Sequence, residues 1–450
     1  MNFVRTLRPT SAYKIQGIRR PHVAILHSFA IFGSRYATSL GKTQGRLVIL
    51  GSGWAGLKLL GGINVKDYEV VMISPRNHFV FTPLLASTSV GTLEFRTITE
   101  PIRHHNRKAK YYQAWCDAVD LRKKELVCTP ALPDMEPFTL SYDKLVVAVG
   151  AYSNTFGIPG VEKYGFFLKE ISHAQRIRAR IIECFEMASE PNITEAEQWK
   201  LLNFAVVGGG PTGVDFIKDD LTRLYPRLMD KVQITVYDVA EKILGGFDDA
   251  LAACEASTLV ATFIKEVQKN KLILKDDTEI PFGALVWATG LTATPLIKNM
   301  EVSQSRSKRL VTDEYLRVLD KEGKPISDVY ALGDCAVIKD QELPATAQVA
   351  SQQGIWLRKH LNRVAAMRDD GKPFRYSHLG SMVYVGSWKA IFDTSGGALE
   401  TPGAGGLRGR LAWFVWRSAY LIRSVSLRNM VMIPAHWFLT WAFGRDISKF

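Results

Sequence analysis

Two glycine-rich turns predict an α/β chain built from two parallel, doubly wound sheets. Val48-Ile-Leu-Gly-Ser-Gly-Trp-Ala-Gly56 and Phe204-Ala-Val-Val-Gly-Gly-Gly-Pro-Thr-Gly-Val-Asp-Phe216 each run from a short apolar strand through three spaced glycines into a helical pattern. Each unit later closes on a second strand-to-glycine stop, Val147-Ala-Val-Gly150 in the first and Leu285-Val-Trp-Ala-Thr-Gly290 in the second. Glycine at these spacings allows a tight turn, close approach of backbone to a pyrophosphate, and close packing of helix on strand. One such turn alone is a weak signal. Two of them, about one domain length apart, suggest two dinucleotides on one polypeptide.

The chain of 450 residues is long enough for two or three domains with sizeable cores. Its 47% hydrophobic and 22% charged residues are those of a globular protein. The net charge of +13 is concentrated at the two ends. Residues 1–45 carry Arg5, Arg8, Lys14, Arg19, Arg20, Arg35 and Lys42 with no acid, and residues 407–450 carry Arg408, Arg410, Arg417, Arg423, Arg428, Arg445 and Lys449 against Asp446. The body between is near neutral, which argues against a nucleic-acid-binding body. Cys116, Cys128, Cys184, Cys254 and Cys335 form no C-x-x-C pair and no Cys/His cluster with zinc spacing. They read as scattered thiols, and no metal ligands are assigned.

The acid-free, Arg- and Ser/Thr-containing start is the pattern of an organelle transit peptide, with a processing site near Arg35–Ser39. His22–Phe32 is apolar but too short to span a bilayer. From Arg46 a βαβ unit follows: Leu47–Leu50, a short helix Trp54–Leu60, and Glu69–Ser74. An acid commonly ends that second strand and holds ribose hydroxyls; here Ser74 stands in its place with a hydroxyl that can still bond. The Pro- and polar-rich stretch Ser74–Leu85 reads as an irregular loop past the strand ends. Tyr111–Val119, Glu125–Cys128 and Lys144–Val149 read as strands, and Ile171–Ala188 as a helix.

In the second unit, Val214, Ile217, Leu221 and Leu224 recur at helical spacing, and Gln233–Tyr237 is a strand ending in Asp238. An acid there accepts both ribose hydroxyls of NAD and repels the additional phosphate of NADP. Farther on, Val329-Tyr-Ala-Leu-Gly-Asp334 is a strand running into Gly-Asp. Gln348 and Gln352 then share one face of a helix. The tail 407–450 interleaves Trp413, Trp416, Tyr420, Trp437 and Trp441 with arginines, and Pro434 is expected to divide it into two short helical pieces. Neither piece has a long enough apolar run to span a bilayer, so the tail reads as an amphipathic, basic, Trp-rich region lying on a membrane. No EF-hand loop is present in the sequence, so calcium control is not indicated.

With these residues in view, the chain resembles the type II (alternative, non-proton-pumping) NADH:ubiquinone oxidoreductases of mitochondria, nearest the internal plant and algal form. The matching stretches include Gly51–Gly56, Ser74–His78, Phe81–Ser87, Val90–Arg96, Tyr142–Leu145, Phe166–Glu170, Gly208–Gly213, Val286–Gly290, Ala331–Asp334, Thr346–Ala350 and Gly444–Ser448. Together they cover about residues 46–450.

The resemblance implies two Rossmann-type dinucleotide-binding domains, a glutathione-reductase-like flavoprotein, with a C-terminal amphipathic membrane-anchoring region. It divides the chain into a transit segment 1–45, an FAD-binding domain 46–165 with 326–375, an NADH-binding domain 166–325, and a membrane-association region 376–450. The implied cofactors are FAD and NADH. The implied cofactor-binding residues are Gly51, Gly53, Gly56, Ser74, Pro83, Leu84, Gly150, Gly208, Gly210, Gly213, Asp238, Thr289, Gly290, Gly333, Asp334 and Ala347. Gly51, Gly53 and Gly56 would face the FAD pyrophosphate, Asp334 its chain, and Asp238 the NADH ribose. Asp215, where the family usually has Glu, is implied near flavin and nicotinamide, and Gln348 and Gln352 near the quinone. The implied reaction is two-electron transfer from NADH to ubiquinone without proton pumping, by a protein peripheral to the inner mitochondrial membrane on its matrix side. A membrane lipid surface and a homodimer through the C-terminal region are the further partners.

The chain departs from the family in two places, both in the second unit. After Gly213 the helix is shorter by about two turns, a loss that keeps helical phase at ~3.6 residues per turn. A second contraction follows Phe247-Asp-Asp249, leaving Leu259–Lys265 to serve as both helix end and strand, where the family has another parallel strand. Two other readings therefore stay open: a catalytically impaired flavoprotein or structural subunit, and a sulfide:quinone oxidoreductase, whose chemistry needs a cysteine pair at the flavin.

Overall fold

The structure is a computed structural model. It describes residues 44–91, 93–208, 225–239, 258–368, 371–384, 390–393, 407–409, 417–418 and 427–443. An apolar run without polar alternation suits a strand covered on both faces. Arg46–Leu50 is such a strand, and Leu47, Val48 and Ile49 are wholly buried. It pairs in parallel with Glu69–Ile73 on one side and Lys144–Val147 on the other, with Val48 opposite Val71 and Leu145.

Among the described residues the first sheet has eight strands, ordered Ala336–Ile338, Leu310–Thr312, Arg317–Leu319, Pro325–Ala331, Lys144–Val147, Arg46–Leu50, Glu69–Ile73 and Lys110–Tyr112. Leu47 and Ile49 face helices Trp54–Leu60 and Ala347–Ala365, in a core with Leu57, Leu357 and Leu361. Val48 and Leu50 face the opposite layer, with Leu145, Val147, Leu296 and Cys335. The second sheet is ordered Phe166–Phe167, Ala284–Trp287, Asn203–Val207, Gln233–Asp238 and Thr258–Ala261, and every pair is parallel. The Gly51–Gly56 turn and Gly208, the first glycine of the second motif, follow the carboxyl ends of central strands, where doubly wound sheets take ligands.

Several elements differ from expectation. The stretch Tyr111–Val119 is two strands. Lys110–Tyr112 stays parallel in the first sheet, whereas Ala114–Asp120 leaves it for an antiparallel sheet with Glu125–Pro130 and Phe138–Ser141. Gln113 marks the break: Ser74 N donates to Tyr112 O, Ala114 N donates to Ser74 O (both 3.2 Å), and the Gln113 amide donates to Pro75 O at 3.1 Å. The Ser74–Leu85 stretch is more ordered than a loop. His78–Val80 pairs antiparallel with Thr99–Pro101, and Thr82–Leu84 is a 3-10 turn in which Pro83 has the fixed φ that helical starts favour.

Residues 258–265 are not a helix end. Thr258–Ala261 is a parallel strand beside Gln233–Asp238, and Ile264–Gln268 begins an antiparallel sheet with Lys271–Leu274. The β-branched residues Thr258, Val260, Thr262 and Ile264 favour extended backbone. The additional parallel strand is thus present despite the contraction. The helix expected after Gly213 lies outside the described residues.

The C-terminal region opens as a sheet, with Ser381–Tyr384, Ala390–Asp393 and Leu407–Gly409 paired antiparallel. Pro434 does not divide the helix near the chain end: Leu427–Phe443 is one helix with the proline inside. The lost N–H and ring clash cost roughly 3 kcal/mol in a helix interior. Burial of Ile433 beside the proline, and of Asn429, whose side-chain amide donates to Thr99 O at 3.4 Å, opposes that local cost.

Candidate active site

The first glycine turn is shaped by what its missing side chains avoid. Gly51 has φ +100°, and a Cβ there would lie 2.3 Å from Ala148 O. A Cβ on Gly56 would lie 2.0 Å from Gly51 O, so this glycine serves helix-on-strand packing. Gly53 is different: nothing lies within 4 Å of its ideal Cβ. The room above Gly53 opens into a cavity of about 1910 Å³. An open cradle over backbone, floored by a tight turn, fits the pyrophosphate of a dinucleotide.

Gly51, Gly53, Ser74, Pro83, Gly150, Gly333, Asp334, Ala347, Gln348 and Gln352 all line this one cavity. Gly56 does not, because it is spent on packing. Leu84 does not either: its side chain is wholly buried in the core, and Pro83 and Leu85 take the lining positions. The Ser74 hydroxyl lies 2.8 Å from that of Ser52, so the two serines tie the turn to the end of the second strand. Asp334 is at the strand-to-helix junction, where burial pushes its carboxyl pKa up while Lys169 and Arg309 oppose the shift.

Sequence reasoning missed four residues around this cavity. Gln353 is 4% exposed, and its side-chain oxygen accepts from Gly333 N at 2.7 Å, holding the Gly-Asp turn where φ at Gly333 is +72°. The signal was available: Val349, Gln353 and Leu357 recur on the buried helix face, and a lone amide there calls for a partner. Trp54 donates to Thr82 Oγ1 at 3.0 Å and packs edge-on to Phe79, fixing the wall beside the turn. Lys169 lines the cavity and donates to Ala151 O at 2.7 Å. Tyr376, the fourth, belongs to the far end, and nothing local in the sequence marks it.

At that end the Ala347–Ala365 helix starts behind Thr346, whose hydroxyl accepts from Val349 N at 3.4 Å. Gln348 and Gln352 do share a face, and they grip the segment 376–380. The Gln348 oxygen accepts from the Tyr376 hydroxyl and from Leu379 N (3.3 Å), and its amide donates to Gly380 O (3.4 Å). Gln352 donates to Ser377 O at 2.7 Å and accepts from Ser377 N at 3.0 Å. His378 Nδ1 lies 3.1 Å from the Tyr376 hydroxyl. Tyr376, His378 and Leu379 also line the cavity, so this end is a polar pocket with apolar walls.

The second glycine turn is described only at its start. Gly208 has φ +112°, and a Cβ there would lie 2.9 Å from Thr289 Cβ, so Gly208 and Thr289 are pressed together at the strand ends. Gly290 follows with φ +66°, and its oxygen accepts from Asn154 N at 3.4 Å. Asp238 ends its strand, and its backbone oxygen accepts from Thr262 N at 2.9 Å. Gly210, Gly213 and Asp215 lie outside the described residues. The cysteines are not all scattered: Cys116 and Cys128 sit opposite each other on adjacent antiparallel strands. Cys335 is wholly buried beneath the Gly-Asp turn, its thiol donating to Leu332 O at 3.2 Å, and burial pushes its pKa up to about 12.

Two mainly parallel sheets, each with a central strand that runs into the first glycine of a glycine-rich motif, define the class of oxidoreductases that carry two dinucleotides. Residues 45–354 match the profile of the pyridine nucleotide-disulphide oxidoreductases, and residues 378–446 match that of the NDH2 C-terminal domain. The chain is 41% identical over 443 residues to the mitochondrial internal alternative NAD(P)H-ubiquinone oxidoreductase A1 of Solanum tuberosum, covering 90% of this chain and 88% of that one. It is 40% identical over 424 residues to a probable NADH dehydrogenase of Dictyostelium discoideum, covering 90% and 91%. The structure of NDH2 from Plasmodium falciparum in complex with NADH superposes with a TM-score of 0.82 at 27% identity, over 90% of this chain and 100% of that one. The chain belongs to the pyridine nucleotide-disulphide oxidoreductases, in the branch of the internal alternative NAD(P)H-ubiquinone oxidoreductases.

Proposed function

We propose that this protein oxidises NADH and reduces ubiquinone with FAD as its resident cofactor, without pumping protons, on the matrix face of the inner mitochondrial membrane. The observation that carries this reading is the single cavity. It runs from the Gly51–Gly53 cradle, past Gly150 and Asp334, to the Gln348–Tyr376 pocket. Bound FAD supplies the two-electron relay between nicotinamide and quinone. The chain's own residues hold and orient. Gly51, Gly53 and Ser74 take the pyrophosphate and ribose end, and Asp334 takes the polar chain. Asp238, with Gly208 and Thr289, takes the NADH ribose and backbone. At the far end the Gln348 amide and the Tyr376 hydroxyl offer polar groups to a quinone carbonyl between apolar walls.

The exposed residues of the Leu427–Phe443 helix support contact with a lipid surface, and a homodimer through the C-terminal region goes with the same reading. A sulfide:quinone reaction is less well supported. Among the described cysteines only Cys116 lines the cavity, whereas Cys335 is buried with its thiol bonded to backbone.

Anaerobic titration of the purified protein with NADH tests the reading: the flavin absorbance should bleach at one equivalent and return on adding ubiquinone. Retained FAD that NADH does not bleach would sink it and favour the impaired-enzyme reading. Gln348→Ala should lower kcat/KM for quinone by about tenfold or more, since the half-buried hydrogen-bond network that holds Tyr376 and residues 379–380 at the site is broken. Its NADH bleaching should stay at the wild-type rate. Equal loss in both half-reactions would remove Gln348 from the quinone end.

A further inference from the structure

The cavity wall holds a cation to which the established chemistry gives no task. Lys169 follows the edge strand of the second sheet, where Phe167 pairs with Trp287. Its ammonium donates to Ala151 O at 2.7 Å, and Ala151 follows the Gly150 stop of the first sheet. Lys169 therefore spans the point where the carboxyl ends of the two sheets converge. Two dinucleotides seated one on each sheet bring their reactive rings together at such a point, while the pyrophosphate cradle lies back at Gly51 and Gly53.

Two of the neighbouring charges are engaged elsewhere, and Asp334 faces the ammonium from across the cavity without an ion pair to it. Glu170 is bound to Arg76 at 3.0 Å, and Arg309 is bound to Glu342 at 2.6 Å. Lys169 itself forms no ion pair with a described carboxylate; its hydrogen-bond partner is a neutral carbonyl. Burial drives the Lys169 pKa down, with Asp334 and Glu170 opposing, and burial drives the Asp334 pKa up. Desolvation thus pushes each half-buried group toward its neutral form, and their mutual attraction opposes that only in part. A half-buried cation facing a cavity gains when negative charge arrives there. Two-electron reduction of a flavin puts negative charge on its ring, and a charge beside the ring tunes its electronics.

We propose that Lys169 is the cation this cavity holds against the negative charge of the reduced flavin ring, and that it sets how readily the flavin is reduced. The proposal rests on the FAD reading above and assigns a residue to it. Lys169 is then more than a wall of the site: neutralising it changes an equilibrium that a purely structural lysine leaves alone.

The test uses the full-length, FAD-loaded protein and needs neither NADH nor quinone. Sulfite adds to a flavin ring and leaves it negatively charged, so its dissociation constant reports the local charge. Lys169→Met should weaken sulfite binding by about tenfold or more, and lower the midpoint potential by about 30 mV for each tenfold in the two-electron equilibrium. Lys169→Arg, which keeps the charge, should stay near wild type in both. Flavin content and the thermal unfolding midpoint are recorded alongside, and Lys169→Gln serves if the methionine variant fails to fold. Wild-type sulfite affinity and potential in the neutral variant overturn the proposal. Weaker FAD retention with an unchanged potential overturns it as well, because the lysine then holds the nucleotide and does not tune the ring. A wild-type protein that binds no flavin removes the FAD reading itself, and is told apart by its flavin content alone.

Discussion

Gly53 and Gly56 stand in one turn, yet a methyl group at each meets different surroundings. At Gly56 the new Cβ falls 2.0 Å from a backbone oxygen, and the packed strand behind that oxygen cannot yield cheaply. Overpacking of this kind costs about 1–3 kcal/mol or more, so Gly56→Ala should lower the urea midpoint of the whole protein. At Gly53 nothing lies within 4 Å, so Gly53→Ala should fold normally and lose FAD on gel filtration. If both variants lose stability equally, the open space at Gly53 is not a cofactor cradle. Asp238 makes a separate statement about the second nucleotide. Its carboxylate at the strand end suits two free ribose hydroxyls and repels a phosphate. Asp238→Ser should raise the ratio of kcat/KM for NADPH over NADH by about tenfold, equivalent to 1.4 kcal/mol; an unchanged ratio removes Asp238 from that role.

At the scale of elements, the site depends on how closely helix Ala347–Ala365 lies on helix Trp54–Leu60. Gly354 permits that approach, since a Cβ there would meet Ala55 O at 2.4 Å. The contact carries Gln348, Gln352 and Gln353 to their places, with Gln353 holding Gly333 and Gln352 holding Ser377. Gly354→Ala should therefore cost about 1–3 kcal/mol in urea unfolding and, unlike Gly56→Ala, weaken quinone reduction more than NADH bleaching. Equal loss in the two half-reactions would mean the helix serves stability alone. The central strands of both sheets and the first glycine turn were legible because each is a local pattern, an apolar run closing on glycine. The split at Gln113 was not, because it depends on Pro75 and Ser74 nearly forty residues earlier in the chain. The grip of Gln348 on Tyr376 was equally hidden: an i, i+4 glutamine pair shows a shared face and says nothing of what lies opposite. Thr258–Ala261 was misjudged for a related reason. A contraction in length suggested that Leu259–Lys265 must be helix end and strand at once, whereas the backbone of Thr258–Ala261 pairs in parallel with Gln233–Asp238 and a second strand begins at Ile264.

For the whole molecule, the proposed path from NADH to a lipid-borne quinone calls for a surface that can meet a membrane, and the C-terminal helix is the candidate for it. Among the described residues no helix is long and apolar enough to cross a bilayer. The Leu427–Phe443 helix offers a different kind of surface. Ile433 is 1% exposed against the body, while Leu427 (80%), Val431 (68%), Phe438 (61%) and Trp441 (65%) recur every three, four or seven residues and face outward. An exposed apolar stripe of this kind marks a contact site, and a stripe of Leu, Val, Phe and Trp flanked by basic sequence suits a bilayer interface. Ile433 and Asn429 hold the helix to the body, so the outward stripe can be changed without releasing it. Replacing Val431 and Phe438 together by Glu removes two apolar groups worth roughly 1.5–3 kcal/mol each when buried. The double variant should bind vesicles of mixed neutral and anionic lipid at least about tenfold more weakly in flotation. With a short-chain, water-soluble quinone it should turn over at the wild-type rate, and with quinone dissolved in the vesicles it should fall in proportion to the bound fraction. Undiminished flotation would show that this helix does not face lipid. A loss with the soluble quinone as well would show that its apolar stripe supports the site from within the protein.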